Sequence, residues 1–192
     1  MTGQSNKLRI IGGQWRGRKL NFPDEPGLRP TPDRVRETLF NWLQAIIVGS
    51  RCLDLFAGSG ALGFEALSRG AKHVAMIDKS RQVVSALGNN LKLLGVDNAS
   101  LVNTDASHLL TQANTLGQTF DVVFLDPPFH QDLIVPCCEG LEKNGFLDPV
   151  AYIYLEAEHT IDEDMLPATF SIIRSKKAGK VNFHLIKREI QS

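Results

Sequence analysis

Short apolar runs alternate with longer stretches of helical periodicity through the middle of the 192-residue chain. The apolar runs predict five β-strands, at residues 52–56, 74–77, 100–102, 120–125 and 152–155. The intervening stretches predict four helices, at residues 61–69, 80–94, 106–113 and 131–143. Because strands that alternate with helices usually pair in parallel, this pattern predicts a parallel sheet with helices on both faces.

The C-terminal part of the chain departs from this alternation. Residues 170–174 and 181–186 are two further β-like runs, and residues 175–180 between them are too few to form a crossover helix. These two runs therefore predict an antiparallel hairpin. Together with the five preceding strands, they predict an α/β fold with a seven-stranded, mostly parallel sheet that contains one antiparallel strand.

The N-terminal part predicts two smaller elements. Residues 7–22 alternate basic and apolar positions around three glycines, which is typical of a two-stranded ribbon. Thr31 and Pro32 are a suitable N-cap and first residue for an amphipathic helix over residues 32–47. We therefore expect residues 1–31 to form a ribbon and loop, and residues 32–192 to form the α/β domain.

Charge is distributed unevenly along a chain whose 21 basic residues balance 21 acidic ones. Residues 1–36 contain eight Lys and Arg against three Asp and Glu, which indicates contact between the N-terminal segment and a polyanion. Trp15 lies among these cations, where its indole either stacks on a base or packs against the domain. The candidate RNA contacts are Arg9, Trp15, Arg16, Arg18, Lys19, Arg34 and Arg36.

The composition favours a protein of a reducing compartment without a structural metal. The three cysteines, Cys52, Cys137 and Cys138, do not have the spacing of a disulfide framework, and the five histidines are scattered. Cys137 follows a proline as some catalytic cysteines do, but its place inside a predicted helix favours a packed thiol. Neither a signal peptide nor a long apolar run is apparent. We expect a cytoplasmic monomer that uses no metal and associates with no membrane.

Residues 54–63, with the sequence DLFAGSGALG, lie where the first strand of the domain turns into a helix. Their glycines allow close approach of a ligand, and the pattern also matches the dinucleotide-binding fingerprint, which leaves a nicotinamide cofactor open. Asp54 instead favours a cationic ligand such as a sulfonium amino acid. Asp78 would then bind a ribose diol, and Asp105 would accept from an adenine amino group, cap the next helix, or do both. The candidate cofactor residues are Asp54, Phe56, Ala57, Gly58, Ser59, Gly60, Asp78 and Asp105.

A second loop, Asp126, Pro127, Pro128 and Phe129, follows the fourth predicted strand. In open α/β sheets this carboxyl end of a strand is where ligands bind. The Asp126 side chain and the Pro127 carbonyl can accept the two hydrogens of an amino group, while Phe129 stacks on the attached ring. Such hydrogen bonds return lone-pair density to a base nitrogen, so these four residues are the candidate catalytic residues.

Together, the two loops resemble those of class I, Rossmann-like methyltransferases. The segments RIIGGQWRGR at residues 9–18 and RPTPDRVRETLF at residues 29–40 resemble the ribosomal RNA small subunit methyltransferase D family, over about residues 8–188. The resemblance implies that S-adenosylmethionine is the cofactor and that the acceptor is the N2 amine of a guanine in 16S rRNA. It also implies that the RNA is presented within a small-subunit ribosomal particle.

Three classes of function remain open from the residues alone. An RNA amino-methyltransferase accounts for both loops, although the second loop also suits adenine N6 in DNA or RNA. A nicotinamide-dependent oxidoreductase accounts only for the glycine fingerprint. A non-catalytic RNA-binding module would not require Asp54, Asp78 and the Asp126 loop, all of which are present.

Overall fold

The computed structural model describes residues 6–26 and 28–190. Within these residues the β-strands are β1 (Asn6–Arg9), β2 (Lys19–Phe22), β3 (Arg51–Asp54), β4 (His73–Asp78), β5 (Ala99–Asn103), β6 (Phe120–Leu125), β7 (Leu147–Ala157), β8 (Phe170–Ala178) and β9 (Val181–Glu189). The α-helices are α1 (Asp33–Trp42), α2 (Ala61–Ser68), α3 (Arg81–Leu94), α4 (Ala106–Leu110) and α5 (Ile134–Lys143), and a 3₁₀ turn spans Glu163–Met165.

Seven strands form the central sheet in the order β5-β4-β3-β6-β7-β9-β8. All neighbours are parallel except at β9, which runs antiparallel to both β7 and β8. The predicted Rossmann-like sheet with one antiparallel strand is therefore confirmed. Because β3 to β7 are parallel, their carboxyl ends meet along one side of the sheet, which we call the carboxyl edge; the opposite side is the amino edge.

The sheet is covered by apolar residues on both faces. One face packs against α1, α2 and α3 through residues such as Phe40, Phe64 and Leu87. The other face packs against α4 and α5. Cys137 and Cys138 of α5 are buried in that second core, where burial raises the pKa of each thiol to about 12. The packed-thiol interpretation is confirmed.

Several element ends differ from the sequence prediction. Helix α1 begins at Asp33 with Pro32 at the N-cap, so Thr31 does not cap it as expected, and the helix ends at Trp42 instead of residue 47. The hairpin turn is also shorter than predicted, because β8 continues to Ala178 and only Gly179 and Lys180 connect it to β9. Gly179 has a φ of +62°, a conformation that glycine adopts without strain.

The predicted N-terminal ribbon forms, with β1 and β2 paired antiparallel. Its apolar side chains are buried: Ile10 and Leu20 join the main core, while Leu8 and Phe22 pack against Ala61 at the start of α2. All eight residues of α2 are consequently buried, between the sheet and the ribbon. The ribbon is therefore packed along the domain.

Across residues 6–26 and 28–190, no helix is both long enough and apolar enough to cross a membrane.

Candidate active site

The glycine loop connects β3 to α2 at the carboxyl edge. Gly58 and Gly60 have φ values of +50° and +78°, which a residue with a side chain rarely adopts. A Cβ atom on Gly60 would also lie 2.4 Å from the Phe64 ring. Glycine at position 60 is therefore needed for the turn that starts α2. No side chain caps the N-terminus of α2. An N-terminus of this kind presents backbone N–H donors toward a ligand.

Asp54, the last residue of β3, is almost fully buried behind this loop. Its Oδ2 accepts a hydrogen bond from the Gly63 amide at 3.1 Å. Burial raises the pKa of Asp54 from its ordinary value of 3.8 to about 7, and the negative charge of Asp78 adds to the effect. Within the described ranges no Lys, Arg or His forms an ion pair with Asp54. A buried carboxylate without a cationic partner suits a positively charged ligand.

Asp78, at the end of β4, holds the glycine loop in place. Its Oδ2 accepts from the Gly58 amide at 2.9 Å, and its Oδ1 accepts from the Ser80 amide at 2.8 Å. Each carboxylate oxygen can accept a second hydrogen bond, so both remain able to receive a ribose hydroxyl. Binding of the ribose diol by Asp78 stays a prediction.

Asp105 follows β5 and caps α4. Its Oδ1 accepts from the Ser107 amide at 2.9 Å and from the His108 amide at 3.2 Å, which confirms the capping role expected from its position. Its Oδ2 accepts no hydrogen bond from the part of the chain that the structure describes. That oxygen is the atom available for the predicted contact with an adenine amino group.

The catalytic loop predicted from the sequence begins with Asp126, directly after β6. Pro127 is buried, and the Phe129 ring is 46% exposed at the protein surface. His130 and Asp132 have positive φ values, and this bent backbone delays the start of α5 to Ile134, three residues later than predicted. Glu158 anchors the loop by accepting from the His130 amide at 2.9 Å. The loop is thus attached to the segment that follows β7.

Glu156 is a site residue that the sequence reasoning missed. It lies next to Asp126, because Leu125 of β6 pairs with Leu155 of β7. Glu156 is buried, and its Oε1 accepts from the Tyr154 hydroxyl at 2.7 Å. The Thr31 side chain also hydrogen bonds to Glu156. An acidic residue directly after the strand predicted at residues 152–155 was the available signal.

Three carboxyl groups therefore occupy the ends of the adjacent strands β3, β6 and β7: Asp54, Asp126 and Glu156. The pKa of Asp126 is raised well above its ordinary value, first by burial and then by the negative charges of Glu156 and Asp54. Burial also raises the pKa of Glu156, although hydrogen bonds from Tyr154 and Thr31 oppose this. In the described residues, no group of three His, Cys, Asp or Glu side chains is arranged to hold a metal ion. The cluster disfavours a further negative charge and favours ligands that donate hydrogen bonds.

A cleft of about 570 Å³ opens beside the catalytic loop. This volume falls within the range of small-molecule sites, roughly 300–1,000 Å³. Glu156 and Pro127 lie at its walls, and its apolar surface includes Phe129, Ile161 and Met165. A flat aromatic ligand that donates hydrogen bonds matches this combination of apolar walls and carboxyl groups.

Among the predicted RNA contacts, Trp15 lies at the tip of the N-terminal ribbon, away from this cleft. The amide of Trp15 donates to the Ser68 hydroxyl at 2.9 Å, so the ribbon tip contacts the C-terminal end of α2. Because α2 starts at the carboxyl edge and has eight residues, its end lies about 12 Å away from that edge. Trp15 is partly buried against the core. The residues Arg9, Arg16, Arg18, Lys19 and Arg34 are exposed.

Arg36 corrects one prediction. Its side chain is only 1% exposed, with Nη1 lying 3.5 Å from Oε2 of the fully buried Glu65 and Nη2 2.6 Å from Oδ1 of Asp33. Its other donors bond the backbone carbonyls of Thr31 and Arg9. The expectation that Arg36 contacts RNA is therefore wrong for this conformation, because its guanidinium is enclosed and links α1, α2 and the ribbon.

Comparison with known proteins agrees with the architecture. Residues 8–187 match the model of the family described as Conserved hypothetical protein 95. The chain is 51% identical to the Ribosomal RNA small subunit methyltransferase D of Escherichia coli K12, covering 97% of this chain and 93% of that protein. It is 45% identical to the protein of the same name from Haemophilus influenzae, covering 93% of each.

A solved structure gives the same result for the fold. The structure of yhhF from Escherichia coli superimposes with a TM-score of 0.87 at 47% sequence identity, covering 97% of this chain and all of that one. The resemblance to this methyltransferase family that the sequence showed is confirmed over nearly the full length of the chain. The chain belongs to the Conserved hypothetical protein 95 family and, with these relatives, to the ribosomal RNA small subunit methyltransferase D family.

Proposed function

We propose that the chain transfers a methyl group from S-adenosylmethionine to the N2 amine of a guanine in 16S rRNA, presented within a small-subunit particle. One observation carries the proposal. Strands β3 and β6 are direct neighbours, with Asp54 paired to Phe124, so the glycine loop and the Asp126 loop leave the sheet side by side. The proposed methyl-donor site and the proposed amine-acceptor site are thereby adjacent.

The residues around the glycine loop fit S-adenosylmethionine. Asp54 is buried and has no ion-pair partner in the described residues, so it suits the cationic amino-acid part of the cofactor. The Asp78 carboxylate can still accept hydrogen bonds from a ribose diol, and Oδ2 of Asp105 can accept one from the adenine amine. The backbone from Phe56 to Gly60 would line the site. When bound, the cofactor supplies an electrophilic methyl group on a sulfonium.

The catalytic loop prepares the acceptor nitrogen. The Asp126 carboxylate and the Pro127 carbonyl accept hydrogen bonds from the amine, which concentrates the lone pair on nitrogen, and Phe129 stacks on the ring. Methylation leaves this nitrogen with one proton too many. The raised pKa of Asp126 makes its carboxylate a stronger base than an ordinary aspartate, which suits it to take that proton.

Glu156 supports guanine over adenine as the acceptor. The Watson–Crick edge of guanine presents N1–H and the N2 amine, which are adjacent donors, whereas adenine presents its N1 acceptor beside the N6 amine. Two neighbouring carboxyl groups, Asp126 and Glu156, match an edge with adjacent donors. Adenine N6 would place an acceptor against one of these carboxylates.

The test uses small-subunit particles from a strain that lacks this gene. Incubation with the protein and S-adenosylmethionine, followed by mass analysis of rRNA nucleosides, should show N2-methylguanosine. Asp126→Ala should lower kcat on the order of 10²-fold with RNA and S-adenosylhomocysteine still bound, and Asp126→Asn should lose less because an amide oxygen still accepts. A chelator should leave the rate unchanged. N6-methyladenosine as the product would establish the adenine alternative, and an unimpaired Asp126→Ala rate would remove the loop from the mechanism.

A further inference from the structure

The hairpin between β8 and β9 carries a concentration of positive charge that the proposed reaction does not use. Residues 174–180, which we call the basic hairpin tip, contain the four cations Arg174, Lys176, Lys177 and Lys180, all of them exposed. No Asp or Glu occurs from Phe170 to Arg188. In a chain of zero formal net charge, the tip is therefore a local positive surface.

These four cations differ from the others on the same two strands. Near the far end of β9, Lys187 lies 2.6 Å from a carboxylate oxygen of Glu189, and Arg188 lies 2.9 Å from one of Glu142. None of the four cations at the tip forms an ion pair with any residue in the described ranges. Their charge is thus available to an external anion.

The tip lies at the carboxyl edge, next to the catalytic loop. Strand β9 begins beside the end of β7, since Asn182 pairs with Ala157 on one side and with Lys177 on the other. The Asn182 side chain donates to the Glu158 carbonyl at 3.4 Å, and the Glu158 carboxylate in turn accepts from the His130 amide. Two residues therefore connect the tip to the end of the catalytic loop.

The cations project from both faces of the sheet. Residues directly opposite in an antiparallel pair share a face. Lys176 is opposite Phe183 and so lies on the face that packs against α1, whereas Lys177 is opposite Asn182 on the other face. An anionic strand crossing the carboxyl edge would meet positive charge on either side of it.

We propose that the basic hairpin tip binds the phosphates that flank the target base and holds the RNA strand across the cleft beside Phe129. This inference rests on the proposed function, since it assumes an RNA acceptor. The tip is better placed for this purpose than the tip of the N-terminal ribbon, which contacts Ser68 at the far end of α2. The tip of the ribbon would then contact RNA further from the reacting base.

The test compares two double variants with the same change in charge. Lys176→Glu with Lys177→Glu alters the tip, while Lys72→Glu with Lys143→Glu alters two exposed lysines at the amino edge. Affinity for small-subunit rRNA is measured as a function of salt. Losing two phosphate contacts should reduce the slope of log K against log salt by roughly 1.4–1.8 and weaken binding about tenfold or more at 0.1 M salt. The control pair should bind RNA as the wild type does, and all proteins should bind S-adenosylhomocysteine equally.

The design separates RNA binding from a role in solubility. Strand β8 is at the edge of the sheet, where lysines also discourage pairing with other chains. Glutamate keeps a charge at each position, so the tip variant should elute as the wild type does in size-exclusion chromatography. Lys180→Glu, in the turn, changes the tip without altering either strand, and it should lower the salt slope by about half as much.

Each result has a defined meaning. If the wild type methylates rRNA but the tip variants retain its salt slope and rate, the tip proposal is overturned and the proposed function stands. Equal losses in the tip and control variants would also overturn it, because general charge would then account for binding. A wild-type protein that neither binds nor methylates small-subunit rRNA would overturn the proposed function, and this inference with it.

Discussion

Replacing Asp54 with Asn should stabilise the protein without its cofactor, and by an amount that depends on pH. The Asp54 pKa is 3.8 ordinarily and about 7 in the folded protein. Because the folded pKa is raised, ionisation opposes folding, and the free energy of unfolding falls as pH rises from about 4 to 7. Each pKa unit corresponds to about 1.4 kcal/mol, so the full cost above pH 7 is up to about 4 kcal/mol.

Urea denaturation at two pH values measures this effect. Asp54→Asn keeps an acceptor for the Gly63 amide but removes the charge, so the variant should exceed the wild type by about 2 kcal/mol at pH 5 and about 4 kcal/mol at pH 8. Asp97→Asn, which changes an exposed carboxylate, should alter stability by less than about 0.5 kcal/mol at either pH. An advantage of the Asp54→Asn variant that is the same at both pH values would refute the argument.

The same substitution should have the opposite effect on the cofactor complex. If Asp54 is the partner of a cationic ligand, S-adenosylmethionine should raise the Tm of the wild type far more than that of Asp54→Asn at pH 8. Equal ligand-induced stabilisation would show that Asp54 is a buried carboxyl group without a role in binding. The pair of measurements thus distinguishes a carboxylate whose charge binds a ligand from one that has no role in binding.

Two other substitutions test the neighbouring networks. Glu156→Gln keeps an acceptor for the Tyr154 hydroxyl but removes a negative charge that raises the pKa of Asp126. The rise of kcat with pH should therefore move to lower pH, and an unchanged pH profile would contradict the coupling between Glu156 and Asp126. Arg36→Met removes the donor to the Thr31 and Arg9 carbonyls, while Glu65 keeps its ion pair with Arg69 at 2.7 Å, so the loss in urea denaturation should be on the order of 3 kcal/mol. Arg34→Met at the surface should cost less than about 0.5 kcal/mol, and equal losses would show that burial of Arg36 is unimportant.

The alternating pattern predicted most of the fold because each parallel strand can be recognised from its own residues. Each inner strand is an apolar run that is buried on both faces, and each following helix has its own period. The two loops were found for the same reason, since their residues are contiguous and follow strand ends directly. Element ends were less accurate: the lysines after residue 174 predicted a turn, but an edge strand exposed to solvent accommodates them.

Contacts between residues far apart in the sequence could not be predicted from the sequence pattern. Glu156 belongs to the site only because β7 pairs with β6, and the order of strands in a sheet is not evident from a strand's own residues. The burial of Arg36 could have been predicted from helical spacing, but its charge favoured an RNA contact instead. Arg36 precedes Leu39 and Phe40 by three and four residues, which places it on the buried side of α1, yet its partner Glu65 is 29 residues away. Charge alone predicted an RNA contact there.

The attachment of the N-terminal ribbon to α2 has a consequence for synthesis of the chain. The Ile11 amide bonds to Glu65 and the Trp15 amide to Ser68, so the ribbon's partners lie more than 50 positions later in the sequence. At about 5–20 residues per second, the ribbon leaves the ribosome roughly 3–10 s before α2 does. During this interval Leu8, Ile10 and Leu20 lack the α2 surface that buries them, so the first segment to be made cannot complete its packing until α2 has emerged.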